Sequence, residues 1–136
     1  MNIGFDIMGG DFAPEQTLKG AELAIRELSE NDKLFLFGKA EFIRDYFSQQ
    51  NISPQKYEIV DCRHKIEMGD DAIKAIKEKP DSSITKGFYY LSTGLIESFA
   101  SAGNTGAMML GATQIIGLGK GILRPAISSY YPNNIC

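Results

Sequence analysis

The chain has 136 residues, which is enough for about one domain with a buried core. Its hydrophobic fraction is 43% and its charged fraction 23%, both ordinary for a soluble globular protein. The formal net charge of −3 gives no general attraction to nucleic acid or to an anionic membrane surface. An anionic ligand would therefore need local features of the fold to hold it.

The sequence pattern predicts a cytoplasmic protein. Its first residues carry neither the basic segment nor the apolar segment of a signal peptide. No apolar run approaches the roughly 20 residues of a membrane-spanning helix. Cys62 and Cys136 are far apart and form no C-x-x-C motif. This use of cysteine is typical of a protein in a reducing compartment.

The first part of the chain alternates between predicted strands and predicted helices. Apolar runs predict strands over residues 3–7, 34–37 and 57–60. Amphipathic periodicity predicts helices over residues 15–29 and 39–50. Because four consecutive apolar residues form the second run, that strand is expected to be covered on both faces, as in a parallel sheet.

The alternation continues in the second part. We predict helices over residues 72–78, 81–91 and 108–118, a strand over residues 96–100 and a final extended run over residues 126–131. This order favours an α/β fold, Rossmann-like, with three α/β/α layers and a mostly parallel sheet. The pattern stops without a helix after the last extended run. Residues 1–136 are therefore expected to form a single α/β domain, the N-terminal part of a longer enzyme.

The strongest functional signal is the motif Ser-Ala-Gly-Asn-Thr-Gly-Ala at residues 101–107. It lies between a predicted strand and a predicted helix, where backbone N–H groups and the helix dipole favour an anion. Gly103 and Gly106 permit a close approach of the backbone, and Ser101, Asn104 and Thr105 supply polar side chains. The pattern indicates a cradle for phosphate or carboxylate. An ordinary connection with a well-capped helix is the alternative.

A second glycine-containing turn follows the first predicted strand. It contains Gly9, Gly10 and Asp11, and Asp6 precedes it. In open α/β sheets ligands bind beyond the carboxyl ends of the strands, which is where this turn and the 101–107 motif are both expected. Asp11 is a candidate for orienting a ligand or a basic side chain. The alternatives are that Asp11 caps the following helix and that Asp6 makes structural hydrogen bonds.

Three further residues are candidate anion ligands. Ser82 and Ser83 open a predicted helix after Lys79, and Arg124 is suited to bidentate phosphate binding. Helix capping for the serines and a surface position for Arg124 are the alternatives. His64 is the single histidine, and two unclustered cysteines complete no zinc site, so no metal is expected.

Four spaced segments together resemble the bacterial phosphate acyltransferases of the PlsX family. They are DIMGGD at residues 6–11 followed by Ala13-Pro14, Glu67-Met68 with the segment from Lys79 to Ile84, the 101–107 motif, and Arg124-Pro125-Ala126. The resemblance covers the whole chain in order. It departs from the family in length, because family members are more than twice as long and a Gly/Asn-containing motif expected soon after Arg124-Pro125 is absent. The continuation from Ser128 to Cys136 is also unusual for the family.

The resemblance implies a fold similar to those of isocitrate and isopropylmalate dehydrogenases and of phosphotransacetylases. It implies transfer of a fatty acyl group from acyl-acyl carrier protein (acyl-ACP) to inorganic phosphate, which gives acyl phosphate for phospholipid synthesis. It further implies a homodimer, peripheral association with a membrane, and no cofactor.

The expected site combines the pattern with the resemblance. Its catalytic positions are Asn104 and Asp11, and its phosphate or substrate ligands are Gly9, Gly10, Ser82, Ser83, Ser101, Gly103, Asn104, Thr105, Gly106 and Arg124. Phosphate is already an anionic nucleophile, so the protein must position it and stabilise the developing oxyanion. Alternative functions are a phosphotransacetylase-like transfer from acyl-CoA to phosphate, a non-catalytic phosphate-binding module, and an inactive fragment.

Overall fold

The computed structural model describes residues 1–128, which form a four-stranded parallel sheet with helices on both faces. The strands are β1 (Asn2–Asp6), β2 (Lys33–Gly38), β3 (Tyr57–Asp61) and β4 (Ser98–Ala100). The helices are α1 (Glu15–Glu27), α2 (Ala40–Gln49), α3 (Ala72–Glu78), α4 (Ser83–Ser92) and α5 (Thr105–Gly111). A short 3₁₀ helix (Pro54–Lys56) precedes β3. The three-layer α/β prediction is confirmed.

The strand order in the sheet is β3-β2-β1-β4, and all three pairings are parallel. Ile3 of β1 is opposite Leu34 of β2 on one side and Ser98 of β4 on the other. The carboxyl ends of the four strands therefore lie along one edge of the sheet. Every turn that follows a strand begins at this edge.

Alternate side chains of β2 enter two different cores. Leu34 and Leu36 pack with residues of α1 and α2, whereas Phe35 and Phe37 join a second cluster that contacts α4. All four side chains are buried. This is the burial on both faces that the continuous apolar run predicts for a parallel strand.

The helix after β4 begins earlier than the sequence predicts. Helix α5 starts at Thr105, and a π-helical segment (Ala112–Ile116) continues it, so the predicted bounds 108–118 are wrong at both ends. The reason for the early start is the Asn104 side chain, which caps the first turn. The predicted extended run over residues 126–131 is also wrong as far as residue 128, because those residues lie in no strand. Residues 129–131 fall outside the described range.

Candidate functional site

The chain adds strands first on one side of β1 and then on the other. From β1 the chain moves outward through β2 to β3, and it then returns to place β4 on the opposite side of β1. The turns after β1 and β4 consequently flank a topological switch point, which is the usual ligand site of an open parallel sheet. Gly9, Gly10 and Asp11 belong to the first turn, and residues 101–104 form the second.

The two turns are in direct contact at their glycines. A β-carbon at Gly9 would lie 2.7 Å from the backbone nitrogen of Gly103 and 2.7 Å from Ser101 Oγ. It would also lie 2.5 Å from Asp6 Oδ2. No side chain fits there, so the close approach requires glycine. Gly10 has a φ of +103°, a conformation that other residues rarely adopt, and it faces Ala102.

A chain of hydrogen bonds connects the two turns through Asp6, which is fully buried. Ser101 Oγ donates to Asp6 Oδ2 at 2.6 Å, and the Gly103 amide donates to Ser101 Oγ at 3.0 Å. The Met8 amide donates to the other carboxylate oxygen at 2.9 Å. Asp6 therefore makes the structural hydrogen bonds that were one of the sequence alternatives. The Ser101 hydroxyl is engaged as both donor and acceptor.

Asn104 holds the start of α5 against the loop before α3. Its Oδ1 accepts a hydrogen bond from the Ala107 amide at 2.9 Å. Its Nδ2 donates to three backbone carbonyl oxygens, those of Glu67, Met68 and Asp70. Only 6% of the residue is exposed. The side chain is thus occupied within the protein, and its direct reach toward a ligand is small.

Ser82 performs the capping role that was the alternative to ligand binding. It is fully buried, and its Oγ accepts from the Thr85 amide and donates to the Thr85 hydroxyl. Ser83 follows it in the first turn of α4 and is also buried. Lys79, the cation of this segment, pairs with Asp70.

The start of α4 nevertheless contacts the switch-point turns. A β-carbon at Gly103 would lie 3.3 Å from Ile84 Cδ1, and Ile84 belongs to the first turn of α4. On the other side of the motif, a β-carbon at Gly106 would lie 3.3 Å from Ala72 Cβ at the start of α3. The first turns of α3 and α4 therefore lie against residues 103–106, which lead into α5.

Asp11 is exposed at the mouth of a pocket of about 240 Å³. Gly9, Gly10 and Ala102 also line this pocket. Helix α1 begins after Pro14 and has no side-chain cap, so the alternative in which Asp11 caps this helix is not observed. The Asp11 side chain therefore lines a pocket and is open to solvent.

Thr105 directly follows the second turn, whereas Arg124 lies much later in the chain. Thr105 is the exposed first residue of α5, next to the Asn104 cap. Arg124 is exposed in the irregular stretch 117–128, and within residues 1–128 it has no ion-pair partner. The structure thus brings Gly9 and Gly10 together with Ser101 and Gly103, whereas no hydrogen bond or ion pair within residues 1–128 joins Arg124 to them.

Two carboxyl groups in ion pairs and one buried thiol near this edge have shifted pKa values. The hydrogen bond from Lys79 lowers the pKa of Asp70, and the hydrogen bond from Lys86 lowers the pKa of Asp81. Burial raises the pKa of the Cys62 thiol to about 12, so this cysteine is a poor nucleophile. These shifts indicate structural ion pairs and an inert thiol.

Sequence reasoning missed two lysines beside the site. Lys39 follows β2 and Lys65 lies beyond β3, and together with Ile7, Met8 and Phe42 they line an apolar slot of about 90 Å³. Lys65 pairs with Glu67, whereas the Lys39 ammonium lies 5.5 Å from the centre of the Phe42 ring. The position of Lys39 immediately after β2 was an available signal, whereas Lys65 lies four residues after the end of β3.

Residues 1–128 show neither a metal-binding cluster nor a membrane-spanning helix. No group of three or more His, Cys, Asp and Glu side chains in this range is arranged to hold a metal ion. Within the same range, no helix combines the length and the apolar character needed to cross a membrane.

Comparison with known proteins gives a consistent set of relatives. The sequence model of a family described as fatty acid synthesis protein matches residues 1–135. A protein of Caldicellulosiruptor bescii named phosphate acyltransferase is 44% identical over 132 residues, which are 97% of this chain and 39% of that protein. Proteins of the same name from Dictyoglomus turgidum and Clostridium tetani are 43% and 37% identical with the same coverage. The chain spans about two fifths of the length of these curated relatives.

Proposed function

The chain belongs to the family of fatty acid synthesis proteins, and on that premise we propose that it acts in acyl transfer to inorganic phosphate. The relatives named phosphate acyltransferase support this activity. The product is an acyl phosphate for phospholipid synthesis. The acyl donor is proposed to be acyl-ACP, as the resemblance of the sequence motifs implies.

The observation that carries the proposal is the meeting of the turns after β1 and β4 at the switch point. At this place Gly9 and Gly103 bring the backbones of the two turns into close contact, and only glycine fits at Gly9. Within residues 1–128, the backbone amides of Thr105 and Gly106 have no hydrogen-bond acceptor. Free amides at a helix start suit a compact oxyanion such as phosphate.

The chemistry needs no protein nucleophile. A phosphate oxygen attacks the thioester carbonyl, a tetrahedral oxyanion forms, and the thiolate of the carrier leaves as the mixed anhydride is completed. The protein has to hold phosphate above the plane of the thioester carbonyl and to supply donors to the oxyanion. The backbone of Gly10, Thr105 and Gly106 is proposed to supply the donors, while Gly9 and Gly103 shape the site, because Gly9 is buried and the Gly103 amide already donates to Ser101 Oγ.

The side chains around the turns are proposed to have different roles. Asp11, exposed at the pocket mouth, orients a basic group or the incoming substrate. Asn104 acts by fixing the motif, because its polar atoms already have partners. Ser101, Ser82 and Ser83 shape the same turn and the neighbouring helix start, and Arg124 is proposed as a phosphate ligand.

The resemblance also supports proposals about the whole protein. Residues 1–136 would be one α/β domain of a longer homodimeric enzyme, cytoplasmic with peripheral membrane association. Neither a metal nor another cofactor is part of the proposed reaction. The acidic carrier protein and inorganic phosphate would be the two reaction partners.

The test is an acyl-transfer assay with the intact protein that contains these residues. Palmitoyl-ACP and palmitoyl-CoA are each supplied with inorganic phosphate, and acyl phosphate is trapped as the hydroxamate. Product from the ACP thioester, dependent on phosphate, is expected. Product from the CoA thioester alone would assign the phosphotransacetylase-like function. Phosphate binding without product from either donor would favour a binding module, and absence of binding would contradict the site.

A further inference from the structure

We propose that Asp6 is a positioning residue for the phosphate-binding turn, acting through Ser101 on the backbone amide of Gly103. The inference rests on the proposed function of the switch-point site. It adds a residue that lies beneath the site and touches neither substrate. Its basis is the hydrogen-bond chain from Asp6 Oδ2 to Ser101 Oγ and from there to the Gly103 amide.

The burial of Asp6 calls for an explanation beyond packing. Among residues 1–128 it is the only buried side chain of the acidic and basic residue types Asp, Glu, Lys and Arg. A buried carboxylate costs free energy unless donors surround it, and an apolar side chain of similar size is often at least as stabilising. Both donors to Asp6 come from the two turns of the site, the Met8 amide from one and the Ser101 hydroxyl from the other.

The geometry makes the shape of the second turn depend on this carboxylate. With its proton directed at Asp6, the Ser101 hydroxyl presents a lone pair to the Gly103 amide. Gly9 packs so closely on Asp6, Ser101 and Gly103 that these groups have little room to move independently. Asp6 thereby fixes the relative position of the two glycine turns.

Because Asp6 carries a charge, an electrostatic role and a positioning role predict opposite changes in phosphate affinity. A carboxylate beneath the turn repels phosphate, so its electrostatic effect alone opposes binding. If charge dominated, the neutral Asp6→Asn variant would bind phosphate more tightly. If position dominates, the same variant binds more weakly. An Asn side chain offers an N–H to Ser101, reverses the direction of that hydrogen bond and competes with the Gly103 amide for the hydroxyl oxygen.

The experiment compares Asp6→Asn, Ser101→Ala and the double variant with the wild type in the intact protein. Steady-state acyl transfer gives kcat and KM for phosphate and for the acyl donor, and thermal unfolding gives Tm. We expect each single variant to raise the phosphate KM about tenfold, the usual scale for a lost charge-assisted hydrogen bond. The KM for the acyl donor is expected to stay within about twofold, and the double variant is expected to be no worse than the poorer single variant.

Asp32→Asn is the matched control. Asp32 also accepts a serine hydroxyl, from Ser29 at 2.7 Å, but it precedes β2, so it lies at the amino edge of the sheet. This variant is expected to lower Tm without changing the phosphate KM. An equal rise in phosphate KM in Asp32→Asn would assign the effect to general destabilisation and overturn the proposal.

Other outcomes are equally decisive. An unchanged or lower phosphate KM in Asp6→Asn, or fully additive losses in the double variant, would overturn the positioning role. If Asp6→Asn does not fold, Ser101→Ala, which keeps the carboxylate, decides by the same phosphate criterion. If the wild type transfers no acyl group, the proposed function fails, and calorimetric titration with inorganic phosphate replaces the assay. Weaker phosphate binding by Asp6→Asn would then still support the positioning role, and no binding by the wild type would overturn both.

Discussion

At the scale of single residues, Asn104 connects more parts of the molecule than any other side chain of the motif. Its two polar atoms join the first turn of α5 to the loop before α3. Because the residue is almost fully buried, loss of these bonds leaves backbone groups without partners. A residue proposed for catalysis from its pattern is thus also a structural support.

Asn104→Ala is expected to lower the free energy of unfolding by about 2–3 kcal/mol, from the lost cap and the unsatisfied carbonyl groups. Chemical denaturation measures this change. Asn104→Asp is the companion variant, since it keeps a capping oxygen but places a carboxylate against three carbonyl oxygens. A fully stable Asn104→Asp variant would show that only the cap matters.

Gly9→Ala is expected to abolish phosphate-dependent acyl transfer and to destabilise the protein by about 1–3 kcal/mol, because the methyl group overlaps Asp6, Ser101 and the Gly103 amide. Activity and unfolding measurements check both effects. Gly20→Ala in α1 is the control: nothing lies within 4 Å of its β-carbon, and a gain of about 1 kcal/mol is expected. Normal activity in Gly9→Ala would contradict the close contact of the turns.

Cys62 is expected to resist alkylation at pH 8 in the folded protein, because the thiol is fully buried and its pKa is raised to about 12. Iodoacetamide labelling followed by peptide mass spectrometry distinguishes Cys62 from Cys136. In denaturant the thiol regains its ordinary pKa and should react readily. Rapid labelling of Cys62 in the native protein would contradict its burial.

The sequence predicted the backbone part of the candidate site better than its side-chain part. Glycines between a strand and a helix indicated Gly9 and Gly103, because only local backbone geometry is needed for that inference. The bond from Ser101 to Asp6 joins residues 95 positions apart, so no local pattern reports it. For the same reason, the sequence contains no sign that the Ser101 hydroxyl is already hydrogen-bonded within the protein.

At the scale of elements, α4 is attached to the sheet by a short polar network. Lys86 pairs with Asp81 and also donates to the backbone oxygen of Asp61 at the end of β3. The His64 amide donates to the Asp81 carbonyl, which extends the contact. The start of α4 is thereby held near the carboxyl edge, where Ile84 meets Gly103.

Asp81→Asn is expected to lower stability at neutral pH and to lose this effect in acid. The Lys86 hydrogen bond lowers the pKa of Asp81 below its value of 3.8 in the unfolded chain. The stabilisation is therefore complete well above pH 3.8 and disappears as the pH falls through the folded-state pKa. Tm measured from pH 7 to pH 2 for both proteins should show two curves that converge in acid. Parallel curves would contradict the ion pair.

The start of α5 is a feature that apolar periodicity could not predict. For α5, apolar residues and small residues suggested a start at Met108, but the Asn104 cap moves the start to Thr105. The true start places the amides of Thr105 and Gly106 in the first turn, where they have no acceptor within the helix. Capping depends on side-chain direction, which apolar periodicity does not contain.

At the scale of the whole molecule, the alternation of strands and helices was sufficient to predict the parallel sheet and its two covered faces. The order β3-β2-β1-β4 was beyond local reasoning, because it depends on which side of β1 the returning chain takes. That order creates the switch point and so determines where the two glycine turns meet. The candidate site is a property of the topology as much as of the motif.

The contact between Asp6 and Ser101 also has a consequence for how the protein is made. Residues 95 positions apart must meet, so the pocket cannot form on the ribosome until β4 has emerged and paired with β1. Contacts of such long sequence separation carry a large loop-closure cost and form late in folding. The two glycine turns are therefore expected to be among the last parts of this sheet to become ordered, after β1, β2 and β3 have assembled.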